Sequence, residues 1–419
     1  MEVMEHDRYS HLVLRDVLDK YAYLEKQERA FLTRLVEGTI ERAVELDYIL
    51  DLYAKVKVKK MKPLIRNLLR MSVYQLRYMA SVPDSAVCNE AVKLAKKRGF
   101  GQLSGFVNGI LRSIVREPER IVYPGRDKNL TAALSVQYSM PEWIVAQWLE
   151  SLGGQKTEEL LKAFSVEQRL VVRTNLNHTT PEALLAALRA QGIEAEQTEA
   201  LPYALVLSGY DRLDAIPQFA AGDFYVQDIS SMMVAEWASV KEGDYVIDVC
   251  AAPGGKSTHI AELLKGTGHV EARDLTEEKA ALIRENIRRH GLSNMEARVW
   301  DATVYEEESA EKADVLICDL PCSGLGVLGK KTDIRYKMTP EKQKELVALQ
   351  RRILNTVHNY VRPGGTLVYS TCTIHSEENE KNVEWFLKEY PEFALERMEQ
   401  LLPGTVGQDG FFLAKMTRR

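Results

Sequence analysis

The sequence predicts a multidomain chain: an all-α front domain over 1–128, a small α/β module over 129–222, and a C-terminal α/β domain over 223–419 built on a doubly wound parallel sheet. Three observations carry this. Apolar residues recur at helical spacing through roughly the first 120 positions. The stretch "IVYPGRDKN" (121–129) then gathers Pro, Gly, Asn and charge, as a linker does. Beyond Asp223, short buried-strand runs alternate with helices, the pattern of a parallel sheet. At 419 residues the chain can bury more than one core.

In the front domain, "FLTRLVEGTIERAVELDYIL" places Leu32, Leu35, Val36, Ile40, Ala43 and Val44 on one helical face. "NEAVKLAKKRGF" and "GFVNGILRSIVRE" repeat the pattern, punctuated by Gly99 and Gly105. In the middle module "RLVVRTNLN" reads as a strand, Thr180-Pro181-Glu182 opens the helix "TPEALLAALRAQG", and "ALVLSG" is a second strand. The last domain then runs through the strand "YVIDVCAA", a helix to Leu264, the strand "GHVEARDL", the helix "EEKAALIRENIRRHG", and the strands "ADVLICDL" and "GTLVYSTC".

Composition sets outer limits. With 45% hydrophobic and 27% charged residues, no long apolar run and a polar, acidic start "MEVMEHDRYS", neither a membrane span nor a signal peptide is expected, and a cytoplasmic location is. Five scattered cysteines predict free thiols. Cys318 and Cys322 lack the partners a zinc site needs, so no metal is expected. The formal net charge of −5 hides an asymmetry: up to Met140 there are 24 Lys and Arg against 17 Asp and Glu. "KVKVKKMK" (55–62) and "KLAKKR" (93–98) can neutralise phosphates, or can be solvated helix faces.

"VIDVCAAPGGKSTHIAELL" passes from a strand through a turn, Ala251 to Gly255, into a helix, and Gly254 and Gly255 let backbone approach a ligand closely. The phosphate loop G-x-x-x-x-G-K-[ST] is the formal rival, but Cys250 stands where its first Gly belongs, and Pro253 lies within the loop. Asp274, at the end of the next strand, can accept from ribose hydroxyls, and Asp301 in "VWDAT" from an adenine amino group. Together with Asp248 these acceptors fit S-adenosylmethionine, which carries no phosphate.

"ICDLPCSGLG" places Asp319, Pro321 and Cys322 after a fourth strand, and "YSTCTIHSEENE" places Cys372 after a fifth. Amine methyltransferases usually carry an aromatic residue where Cys322 stands. A thiol suits carbon 5 of a pyrimidine, which is too weak a nucleophile until a thiolate has added to carbon 6. Asp319 can assist by protonating or hydrogen-bonding N3. Spacing alone does not choose between Cys322 and Cys372 as nucleophile, and a cysteine at a strand end is more often a small buried hydrophobe. His375, Lys256 and Lys331 are candidate activators of the thiol, with a structural role favoured for His375. In "VQDISSMMVAEW", Gln227 and Asp228 can orient RNA, or Asp228 can cap a helix.

"FLTRLVEGTIE", "CNEAVKLAKK" and "GFVNGILR" resemble the helical RNA-binding domain of the NusB antitermination factor. "DVCAAPGGKSTHIA", "ICDLPCSGLGV", "KTDIRYK" and "YSTCTIHSEENE" resemble the RNA cytosine-5 methyltransferase family and, with the NusB-like front, its RsmB-type (Sun, Fmu) 16S rRNA branch. The resemblance spans nearly the whole chain. It implies a Rossmann-like S-adenosylmethionine-dependent methyltransferase domain acting on 16S rRNA at the family's cytosine 967, with Cys372 as nucleophile and Cys322 assisting product release. It further implies that Cys250, Ala251, Ala252, Pro253, Gly254, Gly255 and Lys256 line the cofactor, and that Asp274, Asp301 and Asp319 contact adenosine, methionine or the base. Leu320, where many relatives have Ala, departs from the pattern without removing a reactive group.

Carbon 6 of a stacked cytosine is inaccessible, so the expected partner is free or partly assembled 16S rRNA. A monomer is expected. A tRNA or another rRNA cytosine as target, and a noncatalytic RNA-binding assembly factor, are the competing readings; intact Asp319, Cys322 and Cys372 argue against the last.

Overall fold

The computed structural model describes residues 1–166, 168–404 and 407–419. The chain forms two compact units, Met1–Val166 with Leu328–Lys337, and Glu167–Val327 with Met338–Arg419.

The first unit is helical: α1 (Glu2–Glu5), α2 (Ser10–Lys20), α3 (Lys26–Glu41), α4 (Ala43–Tyr53), α5 (Pro63–Tyr78), α6 (Asp84–Lys97), α7 (Ser104–Arg116), α8 (Leu130–Gln137), α9 (Glu142–Leu152) and α10 (Gly154–Phe164). Pro63 opens α5 at the first helical position, where its missing N–H costs nothing. The apolar stripes of α4 to α7 meet in a core containing Leu46, Ile49, Leu69, Val73, Val107 and Leu111. Gly38 of α3 lets Tyr74 in, since a Cβ there would lie 2.0 Å from the tyrosine ring. The first stretch of the module expected from 129 forms α8 to α10, which cluster with this unit.

The second unit opens with an antiparallel sheet of order β2-β3-β1-β4. Its elements are β1 (Leu170–Thr174), α11 (Pro181–Ala190), β2 (Glu194–Gln197), β3 (Ala204–Ser208), α12 (Pro217–Ala220) and β4 (Phe224–Val226). Thr180 caps α11 by accepting from the Ala183 N–H at 3.2 Å. β4 lies in the stretch expected to start the catalytic domain, yet it pairs with β1 through Val172 and Val226.

After α13 (Ile229–Ala238), a larger sheet alternates with helices: β5 (Tyr245–Asp248), α14 (Gly255–Leu263), β6 (His269–Asp274), α15 (Glu277–Arg289), β7 (Met295–Val299) and β8 (Ala313–Asp319). The chain then contributes 328–337, with α16 (Ile334–Lys337), to the first unit. There the buried Asp333 accepts from Ser10 Oγ at 2.7 Å and Lys337 Nζ at 2.8 Å, and the buried Arg335 donates to the Ser139 carbonyl at 3.1 Å. α17 (Pro340–Val357), β9 (Val361–Thr371), α18 (Glu380–Glu389), β10 (Phe393–Leu401) and β11 (Phe411–Arg418) complete the second unit.

The strand order is β10-β11-β9-β8-β5-β6-β7. β5 to β9 are parallel, as the doubly wound sheet expected from sequence requires, and β11 is added antiparallel to both β9 and β10. The reason is connection length: a parallel neighbour needs a crossover of a dozen or more residues, and the link from Leu401 to Phe411 is shorter. Strand order reverses between β5 and β8, which opens a crevice at their carboxyl ends. Among the described residues no helix is long and apolar enough to cross a membrane.

Candidate active site

The parallel register pairs Asp248 with Ala272 of β6 and Ile317 of β8, and Asp319 with Ser370 of β9. The loops leaving these strands therefore emerge at one edge of the sheet.

The loop after β5 folds tightly. The Ala251 N–H donates to the Arg273 carbonyl at 2.8 Å, the Gly254 N–H to the Ala251 carbonyl at 2.7 Å, and the Ala252–Pro253 peptide is cis. Gly254 has a φ of +107°, which a side chain would strain, and it starts α14. A Cβ on Gly255 would come within 3.0 Å of the Tyr225 ring. Cys250 packs its thiol against the core beneath α17, so its contribution to the loop is backbone; burial and neighbouring carboxylates push that thiol up. Asp248 is 1% exposed and accepts from Ser257 Oγ at 2.5 Å; burial pushes its carboxyl up to about 7.

Asp274 ends β6. Its Oδ1 accepts from the Leu275 N–H (2.7 Å) and Lys279 Nζ (2.8 Å), and its Oδ2 from the Ala252 N–H at 2.9 Å. A carboxylate oxygen can accept twice, so Oδ2 retains a site for a hydroxyl. Asp301, exposed beyond β7, uses Oδ1 for the Thr303 N–H (2.8 Å) and hydroxyl (2.7 Å), which hold its carboxyl below the ordinary range.

Asp319 ends β8. Its Oδ2 lies 2.7 Å from Lys256 Nζ and its Oδ1 accepts from Ser370 Oγ at 2.7 Å. Burial alone would lower the Lys256 ammonium, but the charge and hydrogen bond of Asp319, with the charges of Asp248 and Cys372, raise it. That arrangement disfavours the phosphate-loop rival: Lys256 is paired with Asp319 inside the protein, and the Asp274 carboxylate holds the Ala252 N–H of the glycine loop. A cationic sulfonium fits a site built this way, and a polyphosphate does not.

Cys322 follows Pro321, and Cys372 follows β9. Their sulfurs lie 3.3 Å apart, and the Cys372 N–H donates to Cys322 Sγ, also at 3.3 Å. The hydrogen bond with Cys372 and then burial push the Cys322 thiol well up. His375 Nδ1 is 3.1 Å from Glu378 Oε1, and Lys331 packs with the first unit. Asp228 caps α13, accepting from Ser230 and from the Asp409 N–H. Gln227 bonds Arg173. Leu320 is core, and Cys318 is fully buried in the same cluster. Among the described residues no group of three or more His, Cys, Asp or Glu side chains could hold a metal ion.

Several contributors lay outside the sequence reading. Ser257 and Ser370 hold the two carboxylates. Arg173 of β1, 1% exposed, donates to the Gly255 carbonyl at 2.9 Å and pairs with Glu262 at 3.0 Å, tying the small sheet to the glycine loop. Glu378 accepts from the chain beside Cys322. Each is a common residue in an ordinary context, and only strand pairing brings it to the site.

Family models match three stretches: 16S rRNA methyltransferase RsmB/F over 235–417, the NusB family over 1–116, and the Methyltr_RsmF/B-like ferredoxin-like domain over 140–212. A Bacillus subtilis (strain 168) protein named "Probable ribosomal RNA small subunit methyltransferase B" is 36% identical over 440 aligned positions, covering 100% of this chain and 97% of its own length. The Klebsiella pneumoniae (strain 342) "Ribosomal RNA small subunit methyltransferase B" is 31% identical, covering 94% of this chain and 91% of its own. The crystal structure of PH0851 superposes with a TM-score of 0.82 at 27% identity, over 96% of this chain and 93% of that one. With full-length identity of this order, and with helical, ferredoxin-like and methyltransferase domains in the family's sequence, the chain belongs to the ribosomal RNA small subunit methyltransferase B family.

Proposed function

We propose that this chain methylates carbon 5 of a cytosine in 16S rRNA, with S-adenosylmethionine as methyl donor and a covalent bond between Cys372 and carbon 6 of the base. The observation that carries the reading is the pair of thiols 3.3 Å apart at the ends of β8 and β9, beside the Lys256–Asp319 pair.

The residues fit the donor. The backbone of Cys250 to Lys256 offers close approach, Asp274 Oδ2 keeps an acceptor site for a ribose hydroxyl, and Asp301 leaves Oδ2 for an adenine amino group. S-adenosylmethionine supplies an electrophilic methyl on a positive sulfur.

Cys372 adds as thiolate to carbon 6, forming an S–C bond; the electron pair pushed into the ring is taken up at N3, which is protonated or hydrogen-bonded by Asp319 carrying the proton that the Cys372 thiol gave up. Lys256, whose own charge is favoured by an ionised Cys372, is the group best placed to offset the thiolate. Carbon 5 becomes enamine-like and takes the methyl from the sulfonium, whose S–CH3 bond breaks to leave neutral S-adenosylhomocysteine. Loss of the carbon 5 proton to water, with return of the N3 proton to Asp319, re-forms the 5,6 double bond, breaks the S–C bond and returns Cys372 as thiolate, a release that Cys322 assists. The base must leave its stack for this attack, which favours free or partly assembled 16S rRNA over a finished subunit.

The test is methyl transfer from labelled S-adenosylmethionine to unmodified 16S rRNA, assembled small subunits and bulk tRNA, mapped at base resolution. Expected are label at carbon 5 of cytosine 967, faster reaction with free rRNA, complete loss in Cys372→Ala, and a trapped protein–RNA adduct in Cys322→Ala. Label on tRNA alone would move the substrate, and full activity in Cys372→Ala would sink the covalent route.

A further inference from the structure

Each cysteine is pinned through its neighbours along the chain, and the pins converge on one carboxylate. Glu378, fully buried between β9 and α18, has four donors. Its Oε2 accepts from the Ser323 N–H at 2.8 Å and Gln350 Nε2 at 3.1 Å, and its Oε1 from Ser323 Oγ at 2.5 Å, with His375 Nδ1 at 3.1 Å. Ser323 directly follows Cys322. Its hydroxyl has one proton, which goes to Glu378, so the contact of 2.7 Å with Thr373 Oγ1 is a bond donated by Thr373, the residue directly after Cys372. A relay of hydroxyls thus runs from the residue after one thiol, through the residue after the other, to Glu378.

The remaining flanks are held by the same network. Gln350 donates to the Pro321 carbonyl at 2.9 Å, just before Cys322, and accepts from Asn382 at 2.7 Å. Thr371, just before Cys372, donates to Asn379 Oδ1 at 2.6 Å, and Asn379 returns a bond to the Thr373 carbonyl at 3.1 Å. All four lone-pair sites of the Glu378 carboxylate are occupied, so it has no capacity left to act on substrate. An ionised carboxylate without these donors would be costly to bury.

We infer that Glu378 is a positioning residue that sets the separation of Cys322 from Cys372 by clamping Ser323 and, through it, Thr373. This rests on the two-thiol reading given above. The sulfur–sulfur distance matters because the nucleophile and the residue that assists its departure act in turn on one base. Catalytic geometry tolerates little error, and an ångström of misplacement costs about a hundredfold.

The test separates geometry from chemistry. In Glu378→Gln the side-chain nitrogen can no longer accept from the two donors it faces, so the anchor common to the two loops is weakened. The first readout needs no RNA: the rate at which the oxidant diamide joins Cys322 and Cys372 in a disulfide, followed by mass spectrometry, is a ruler of thiol proximity. A tenfold or greater slowing is expected, together with a fall of kcat of about a hundredfold and little change in KM for RNA or methyl donor. The double variant Ser323→Ala/Thr373→Val, which cuts the relay and leaves the carboxylate, should move both readouts in the same direction and serves if Glu378→Gln does not fold. Unchanged crosslinking and kcat in a folded variant would overturn the inference. Slowed crosslinking in an enzyme whose wild type transfers no methyl to cytosine would leave the clamp standing and remove the proposed reaction.

Discussion

Lys256 Nζ lies 2.7 Å from Asp319 Oδ2, so the lysine that follows β5 is paired with a carboxylate at the end of the neighbouring strand β8 and not held for a ligand phosphate. Its charge is favoured by Asp319 and by an ionised Cys372. Lys256→Met is expected to slow methyl transfer by about a hundredfold, the scale of losing one group that supports proton transfer and charge in the reaction. Lys256→Arg should retain a larger share. Single-turnover rates with saturating donor distinguish this from weakened binding; an unchanged rate would remove Lys256 from the chemistry.

Asp248 gives a pH signature of stability. Its carboxyl titrates near 3.8 when solvated and is pushed up to about 7 by burial, so the folded chain holds the extra proton between those values. Its contribution is fully present below about pH 4 and is lost as pH rises through 7. Thermal melts of wild type and Asp248→Asn from pH 5 to 8 should diverge, the wild type losing more stability toward pH 8. Parallel curves would show that Asp248 is ionised throughout.

Gly326 marks a close crossing of chains. Its N–H donates to the Cys372 carbonyl at 3.0 Å, its carbonyl accepts from the Gly410 N–H at 2.8 Å, and a Cβ there would fall 1.8 Å from the Gly410 carbonyl oxygen. Gly326→Ala is expected to cost about 1–3 kcal/mol and to displace the Cys372 loop. Denaturant melts should register the first effect, and a rate loss larger than that of a surface Gly→Ala control the second.

Arg173 and Glu262 form a buried pair, 1% and 5% exposed at the side chain. Burial alone would raise the Glu262 carboxyl, but Arg173 and His290 hold it down. Arg173→Met strands that carboxylate and should destabilise the fold by about 3–5 kcal/mol, whereas Arg173→Met/Glu262→Gln should recover much of the loss. A double variant no more stable than the single would mean that the pair is not the reason for the effect. Because Arg173 also holds the Gly255 carbonyl, donor affinity measured by calorimetry should weaken in both variants.

What the sequence determined alone was whatever is encoded locally. Helical periodicity in the front domain, the strand–glycine–helix order around Gly254, and the candidate residues Asp319, Cys322 and Cys372 at strand ends are patterns within a few neighbouring positions, and the family resemblance reads those same positions. Tertiary structure decided what depends on pairing across long separations. The direction of β11 follows from a link too short for a crossover, and the membership of 328–337 in the helical unit follows from Asp333 meeting Ser10, more than three hundred positions away. The clamp at Glu378 is of the same kind: within "SEENE" nothing separates Glu378 from its acidic neighbours, and only the packing of β8 beside β9 buries this one carboxylate against Ser323 and leaves Glu377 in solvent with Lys381.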